Sequence, residues 1–233
     1  MNPIFIGEFV GTAVLIYLGN GVVANVLLKG SKGEGAGWMV IASAWAFAVT
    51  IAVFVSTKFG SPAAHLNPVV TVAEAVKSGN WDNAGMFILA QMLGAMAGST
   101  LVWLQYYSHW AITEDKSLKL ACFATAPAIR SVFPNFLAEF LASTLLVIGL
   151  GSFDSVETGL GPFKVGILVW AAGLSLGGST GYAINPARDL GPRIAHALLP
   201  IAGKGSSDWS YSWIPVAGPI AGAVAGALIL KLI

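Results

Sequence analysis

Charge is what this sequence has least of. Only 10% of its 233 residues are Asp, Glu, Lys or Arg, where a water-soluble domain carries about 25%. That is too little to cover a water-facing surface, so most of the exterior must face a bilayer instead. The few charges nearly cancel, to a formal net of +1. No basic stripe remains to neutralise phosphates, which excludes a nucleic-acid partner. Cysteine occurs once, at Cys122, so there is no intrachain disulfide framework and no CxxC metal or redox site. Nor does the chain hold a metal-ligand cluster, a nucleophile constellation or a phosphate-binding loop. No metal, no cofactor and no enzymatic reaction are expected.

What is abundant is apolar. Hydrophobic residues make up 56% of the chain, and the mean hydropathy is +0.76. Crossing the hydrocarbon takes about 20 mostly apolar residues in a helix. Six stretches qualify, roughly 4–28, 36–57, 83–108, 133–152, 162–180 and 211–232. The opening "MNPIFIGEF" lacks a basic leader and reads as a retained first span. Two more apolar pieces are too short to cross, "NPVVTVAEAV" from Asn67 and "NPARDLGPRIAHALL" from Asn185. Each opens with Asn-Pro. Asn is a favoured helix cap, and a Pro at the first helical position gives up only an N–H that would be unpaired anyway. Asn67–Pro68–Val69 and Asn185–Pro186–Ala187 therefore start two re-entrant half-helices. The expected fold is an all-α membrane protein with six transmembrane helices plus two half-helices. Lysines and arginines fall on both faces, so charge alone does not orient it.

The two halves resemble each other. "EFVGTAVLIYLG" from Glu8 matches "EFLASTLLVIGL" from Glu139, and "HLNPVV" around Asn67 matches "AINPAR" around Asn185. "QMLGAMAGSTLV" from Gln91 matches "PVAGPIAGAVAG" from Pro215. The order of the three landmarks is kept. Each half holds three spans, an odd number, so the second must be inverted relative to the first. The expected organisation is a single transmembrane domain over 1–233, with repeat one at about 1–108, a linker at about 109–132 and repeat two at about 133–233. Glycines at four-residue spacing (Gly7 and Gly11, Gly94 and Gly98, Gly218, Gly222 and Gly226) read as packing positions.

Half-helices entering from opposite faces put their N-termini head to head at mid-depth. Each brings unpaired N–H groups and about half a positive charge. Facing positive ends repel cations, and the Asn67 and Asn185 amides aim donors into any passage there. The residues before each half-helix are non-helical. Their carbonyls, at Ala63, Ala64, His65 and Leu66 and at Gly181, Tyr182, Ala183 and Ile184, need partners that a water-lined passage supplies. Arg188 facing lipid would cost about 2.5–3.5 kcal/mol or more at mid-depth, so it must face a cavity or protein. Glu8 and Glu139 lie inside apolar spans. They either relay protons or accept N–H groups from the irregular turns, and their symmetry favours the structural role.

With "AHLNPVVT", "GYAINPARD" and the six-plus-two layout, the whole chain resembles the aquaporin and glycerol-facilitator family, the major intrinsic proteins. That resemblance implies a homotetramer in the cell membrane, each protomer with its own passive pore. It also implies a selectivity filter at Trp45, Gly173, Tyr182 and Arg188. Water-selective members tend to carry His at the position of Gly173, which here leaves space. The aromatic corner of Trp45 and Tyr182 suits the C–H side of a polyol, and Arg188 its hydroxyls. Asp189 resembles the glycerol facilitators and is expected to orient neighbouring groups. Val69 stands where Ala is usual, and Tyr182 where glycerol facilitators have Phe. The expected solutes are glycerol first and water also, with a water-selective channel or one for urea, dihydroxyacetone or lactic acid as the alternatives. A proton-coupled transporter using Glu8 and Glu139 is the rival of another class.

Overall fold

The computed structural model describes residues 2–153 and 160–233. Ten helices follow one another among the described residues: α1 Pro3–Leu27, α2 Trp38–Lys58, α3 Pro68–Ser78, α4 Ala84–Gln105, α5 His109–Ile112, α6 Lys116–Ala121, α7 Val132–Gly151, α8 Gly161–Thr180, α9 Pro186–Leu198 and α10 Ile214–Leu230. Five of them (α1, α2, α4, α7 and α8) are long and apolar enough to cross a membrane. The sixth span is α10. Its 17 residues cover about 25 Å, a little under the hydrocarbon thickness of about 30 Å. It starts later than expected because Trp209–Trp213 form turns. The half-helices α3 and α9, of 11 and 13 residues, are too short to cross.

Local signals explain the ends. Asn2 caps α1, its side chain accepting from Ile4 N at 2.9 Å, with Pro3 behind it. Asn67 and Asn185 cap α3 and α9 in the same way. Gly79 ends α3 and Gly181 ends α8, each in the left-handed conformation that glycine adopts without Cβ strain.

Two faces follow from the contacts. On the first, the end of α2 meets the start of α1, where a Cβ on Gly60 would lie 2.8 Å from Pro3 Cβ. The ends of α3, α7 and α10 also meet there, around Val70, Lys77, Gly151 and Leu230. On the second, Lys119 Nζ donates to Ala202 O at 2.5 Å and His109 Nδ1 lies 2.9 Å from Lys29 O. The segment 109–132 includes two short helices, α5 and α6, and runs along this second face.

The spans pack at close range. A Cβ on Gly94 would lie 2.4 Å from Phe9 O, and one on Gly222 2.4 Å from Phe140 O. Substitution there would force α4 away from α1 or α10 away from α7. Backbone approach of this kind replaces hydrophobic burial as the cohesive force in lipid. The outer faces carry Phe47, Ile51, Leu89, Leu141 and Ile167, all exposed as lipid contact requires.

Candidate functional site

The half-helices meet end to end through their caps. Asn67 Oδ1 accepts from Val69 N at 2.8 Å, while its Nδ2 donates to Ile184 O at 2.9 Å. Asn185 Oδ1 accepts from Ala187 N at 3.0 Å and Arg188 N at 3.2 Å, and its Nδ2 donates to Leu66 O at 2.9 Å. Each amide thus caps its own helix and holds the turn before the other. One N–H of each Nδ2 is committed in this way, which leaves the second for the cavity beside it.

The turns themselves are strained. Ala64 (φ 42°), Leu66 (φ 54°), Tyr182 (φ 39°) and Ile184 (φ 41°) all have positive φ without being glycine. Such a conformation costs about 1–3 kcal/mol per residue and persists only where the surroundings enforce it. The enforcing groups are the two buried glutamates. Glu8 accepts from His65 N at 2.9 Å and Leu66 N at 2.8 Å, and from Ser61 Oγ and Gln91 Nε2. Glu139 accepts from Ala183 N and Ile184 N, both at 2.9 Å, and from Thr180 Oγ1 at 2.6 Å. With their N–H groups bound behind, these segments turn successive carbonyls forward. Every carboxylate oxygen is occupied by at least one such donor.

A cavity of about 420 Å³ runs past these groups. One side is apolar: Leu15, Val49, Val53, Leu146, Val165 and Val169 from α1, α2, α7 and α8. The rest of the wall includes Ala63 to Asn67, Val70 and Glu74 of α3, Tyr182 to Asn185, and Arg188. Trp45 also lines it, and Arg188 Cζ lies 4.1 Å from the centre of the Trp45 ring. Arg188 is buried, and of its guanidinium only Nη1 donates to protein among the described residues, to Asn20 Oδ1 at 3.3 Å and Phe123 O at 3.4 Å. Nε and Nη2 are left for a solute. No group of three or more His, Cys, Asp or Glu able to hold a metal occurs among the described residues.

A family model described as Major intrinsic protein matches residues 3–230. The chain is a major intrinsic protein. It is 54% identical over 216 residues to "Glycerol uptake facilitator protein 3" of Lactiplantibacillus plantarum, covering 91% of this chain and 89% of that one. It is 52% identical over 236 residues to "Glycerol uptake facilitator protein" of Streptococcus pneumoniae, covering 100% and 99%. Among solved structures, the aquaglyceroporin from Plasmodium falciparum superposes with a TM-score of 0.81 at 26% identity, covering 99% of both chains.

Within this major intrinsic protein, the residues expected at the filter divide into two kinds. Trp45, Tyr182 and Arg188 reach the cavity. Gly173 lies behind Tyr182, where a Cβ would come within 2.8 Å of Tyr182 Cζ and Oη. The space that glycine leaves is taken by the tyrosine ring, which Trp38 also contacts edge-on at 5.8 Å. The Tyr182 hydroxyl is buried and has no hydrogen-bond partner in the described protein. Val69 is fully buried beneath the Asn67 cap. The His65 ring turns away to Thr71 Oγ1 at 3.1 Å and stacks on Phe87.

Asp189 does not reach the cavity. It is completely buried, accepting from Thr125 N at 2.7 Å and pairing with Arg193 at 2.8 Å. Arg193 in turn donates to Thr125 O and Ser207 O, each at 2.8 Å. Together they pin the 109–132 and 199–213 segments onto α9, with Phe123 O near Arg188. Sequence reasoning missed Asn20, Phe123, Thr125 and Arg193. Two carried a signal: Asn20 is an amide within an apolar span, and Arg193 sits one turn after Asp189. A backbone carbonyl such as that of Phe123 has none.

Proposed function

We propose that this protein is a passive pore for small uncharged polyols, glycerol foremost, which also passes water. The two-sided cavity wall is the observation that carries this. Glycerol has C–H groups along one side and hydroxyls along the other. Leu15, Leu146 and the four valines, with Trp45, meet the first. The carbonyls before each half-helix accept from the hydroxyls, while Asn67, Asn185 and Arg188 donate to them. A wholly polar wall would suit water better, and a wholly apolar one neither. Hydrogen bonds are exchanged one for the next, so the solute loses water without an unpaired polar group. The guanidinium and the paired half-helix N-termini disfavour cations.

The relatives' names as glycerol uptake facilitators agree with this preference. The Tyr182 ring, rather than its buried hydroxyl, forms the wall beside Arg188. The chain acts as one pore domain of two inverted halves, in a homotetramer in the cell membrane, and catalyses no reaction. Glu8 and Glu139 hold backbone N–H groups, which leaves no free oxygen for a proton relay.

Stopped-flow light scattering of proteoliposomes tests this. Glycerol should enter faster than into empty vesicles, without a pH gradient and without accumulating. Uphill glycerol uptake driven by a pH gradient would replace the channel with a coupled transporter. Fast water flux with glycerol at the level of empty vesicles would make it water-selective.

A further inference from the structure

Two neighbouring residues of α1 support the constriction from behind. Gly19 seats Trp45, since a Cβ there would lie 2.3 Å from the ring. The next residue, Asn20, is fully buried in an otherwise apolar stretch of helix. Its Oδ1 accepts from Arg188 Nη1 at 3.3 Å, and its Nδ2 donates to Phe123 O at 3.3 Å. Arg188 Nη1 also donates to Phe123 O at 3.4 Å. The three groups close a triangle between α1, the segment after α6 and α9.

The Trp45 ring fixes where the guanidinium carbon sits, 4.1 Å from the ring centre. An aromatic face is featureless to the N–H groups around that carbon and does not set their rotation. The triangle supplies what the ring cannot. Only an amide matches both of its sides, an acceptor for Arg188 and a donor for Phe123. A carboxylate would set an oxygen against the Phe123 carbonyl, and an aliphatic side chain would serve neither.

We propose that Asn20 is a positioning residue for solute selection: it turns Arg188 Nη1 into the protein so that Nε and Nη2 face the pore. This rests on Arg188 forming the filter. Without Asn20, Nη1 keeps only the longer contact to Phe123 O, 3.4 Å, which no longer fixes its rotation, and it turns towards the pore and water. The hydrated guanidinium then occupies the path of a polyol while single waters still pass.

The readout is the ratio of glycerol to water permeability of the purified full chain in proteoliposomes, which does not depend on how much protein inserts. Loss of one hydrogen bond to the guanidinium predicts that Asn20→Leu lowers this ratio by about 3-fold or more. Because Asn20 acts through Arg188, adding Asn20→Leu to Arg188→Ala should change the ratio no further. A wild-type ratio for Asn20→Leu, or an effect that adds to that of Arg188→Ala, overturns the proposal. If Asn20→Leu does not fold, Asn20→Ser removes the amide without adding bulk. It must show the same fall, and an unchanged ratio there overturns the proposal too. An Arg188→Ala ratio equal to wild type overturns the filter itself, and this inference with it.

Discussion

Replacing Gly173 with Ala puts the smallest possible wedge behind Tyr182. The new Cβ would sit 2.8 Å from both Cζ and Oη of Tyr182 and 3.1 Å from Cε2. Carbon contacts relax at about 3.5 Å, so the ring must retreat by about 0.7 Å. It has little choice of direction. Gly177 already lies against its other edge, where a Cβ would be 2.6 Å from Cδ1, and Trp38 flanks it at 5.8 Å. What remains open is the cavity, opposite Trp45 and Arg188. Overpacking a site of this kind costs about 1–3 kcal/mol. A passing glycerol must push the ring back against that strain. Glycerol permeability should then fall about 5- to 140-fold at 1.4 kcal/mol per decade. Water, a single oxygen wide, should lose less than about 3-fold by the same reasoning. Stopped-flow light scattering on proteoliposomes of matched protein content reads both rates. An equal loss of water and glycerol in a normally folded variant, or no loss of either, would refute the placement of Tyr182 as the wall that Gly173 supports.

The buried acids offer two further tests. Glu139→Gln leaves one acceptor oxygen for three donors (Thr180 Oγ1, Ala183 N and Ile184 N). With charged hydrogen bonds worth about 1.5–3 kcal/mol each, thermal stability in detergent and both fluxes should drop. Normal stability and normal downhill glycerol flux would instead point to a proton role for Glu139. Asp189→Asn strips the buried Arg193 of its partner, a change that costs about 3–5 kcal/mol when a charge is left unpaired. A marked fall in Tm is expected, and an unchanged Tm would mean that the pair does not pin the second-face segments.

Features that depend on a few adjacent residues could be read from the sequence. Asn-Pro pairs read as half-helix starts because capping acts over two or three residues, and Asn67 and Asn185 both cap as expected. The paired glutamates read as backbone acceptors because their symmetry left no obvious relay. The start of α10 lies a few residues later than composition indicates, since composition does not separate the aromatic- and serine-rich turn at 209–213 from a helix. Gly173 read as free space, and only the position of the Tyr182 ring shows that the space is filled.

By itself, the sequence determined the solvent, the spans, the two caps and the residues available to line a path. Each of these follows from composition or from spacing along one helix. The tertiary structure decided which of those residues touch. Arg188 meets a carbonyl 65 residues away and an amide 168 residues away. No local rule specifies such encounters, because they depend on how six spans and two half-helices pack to within van der Waals contact. That packing set a guanidinium in an apolar chain beside the cavity, held by Trp45, Asn20 and Phe123.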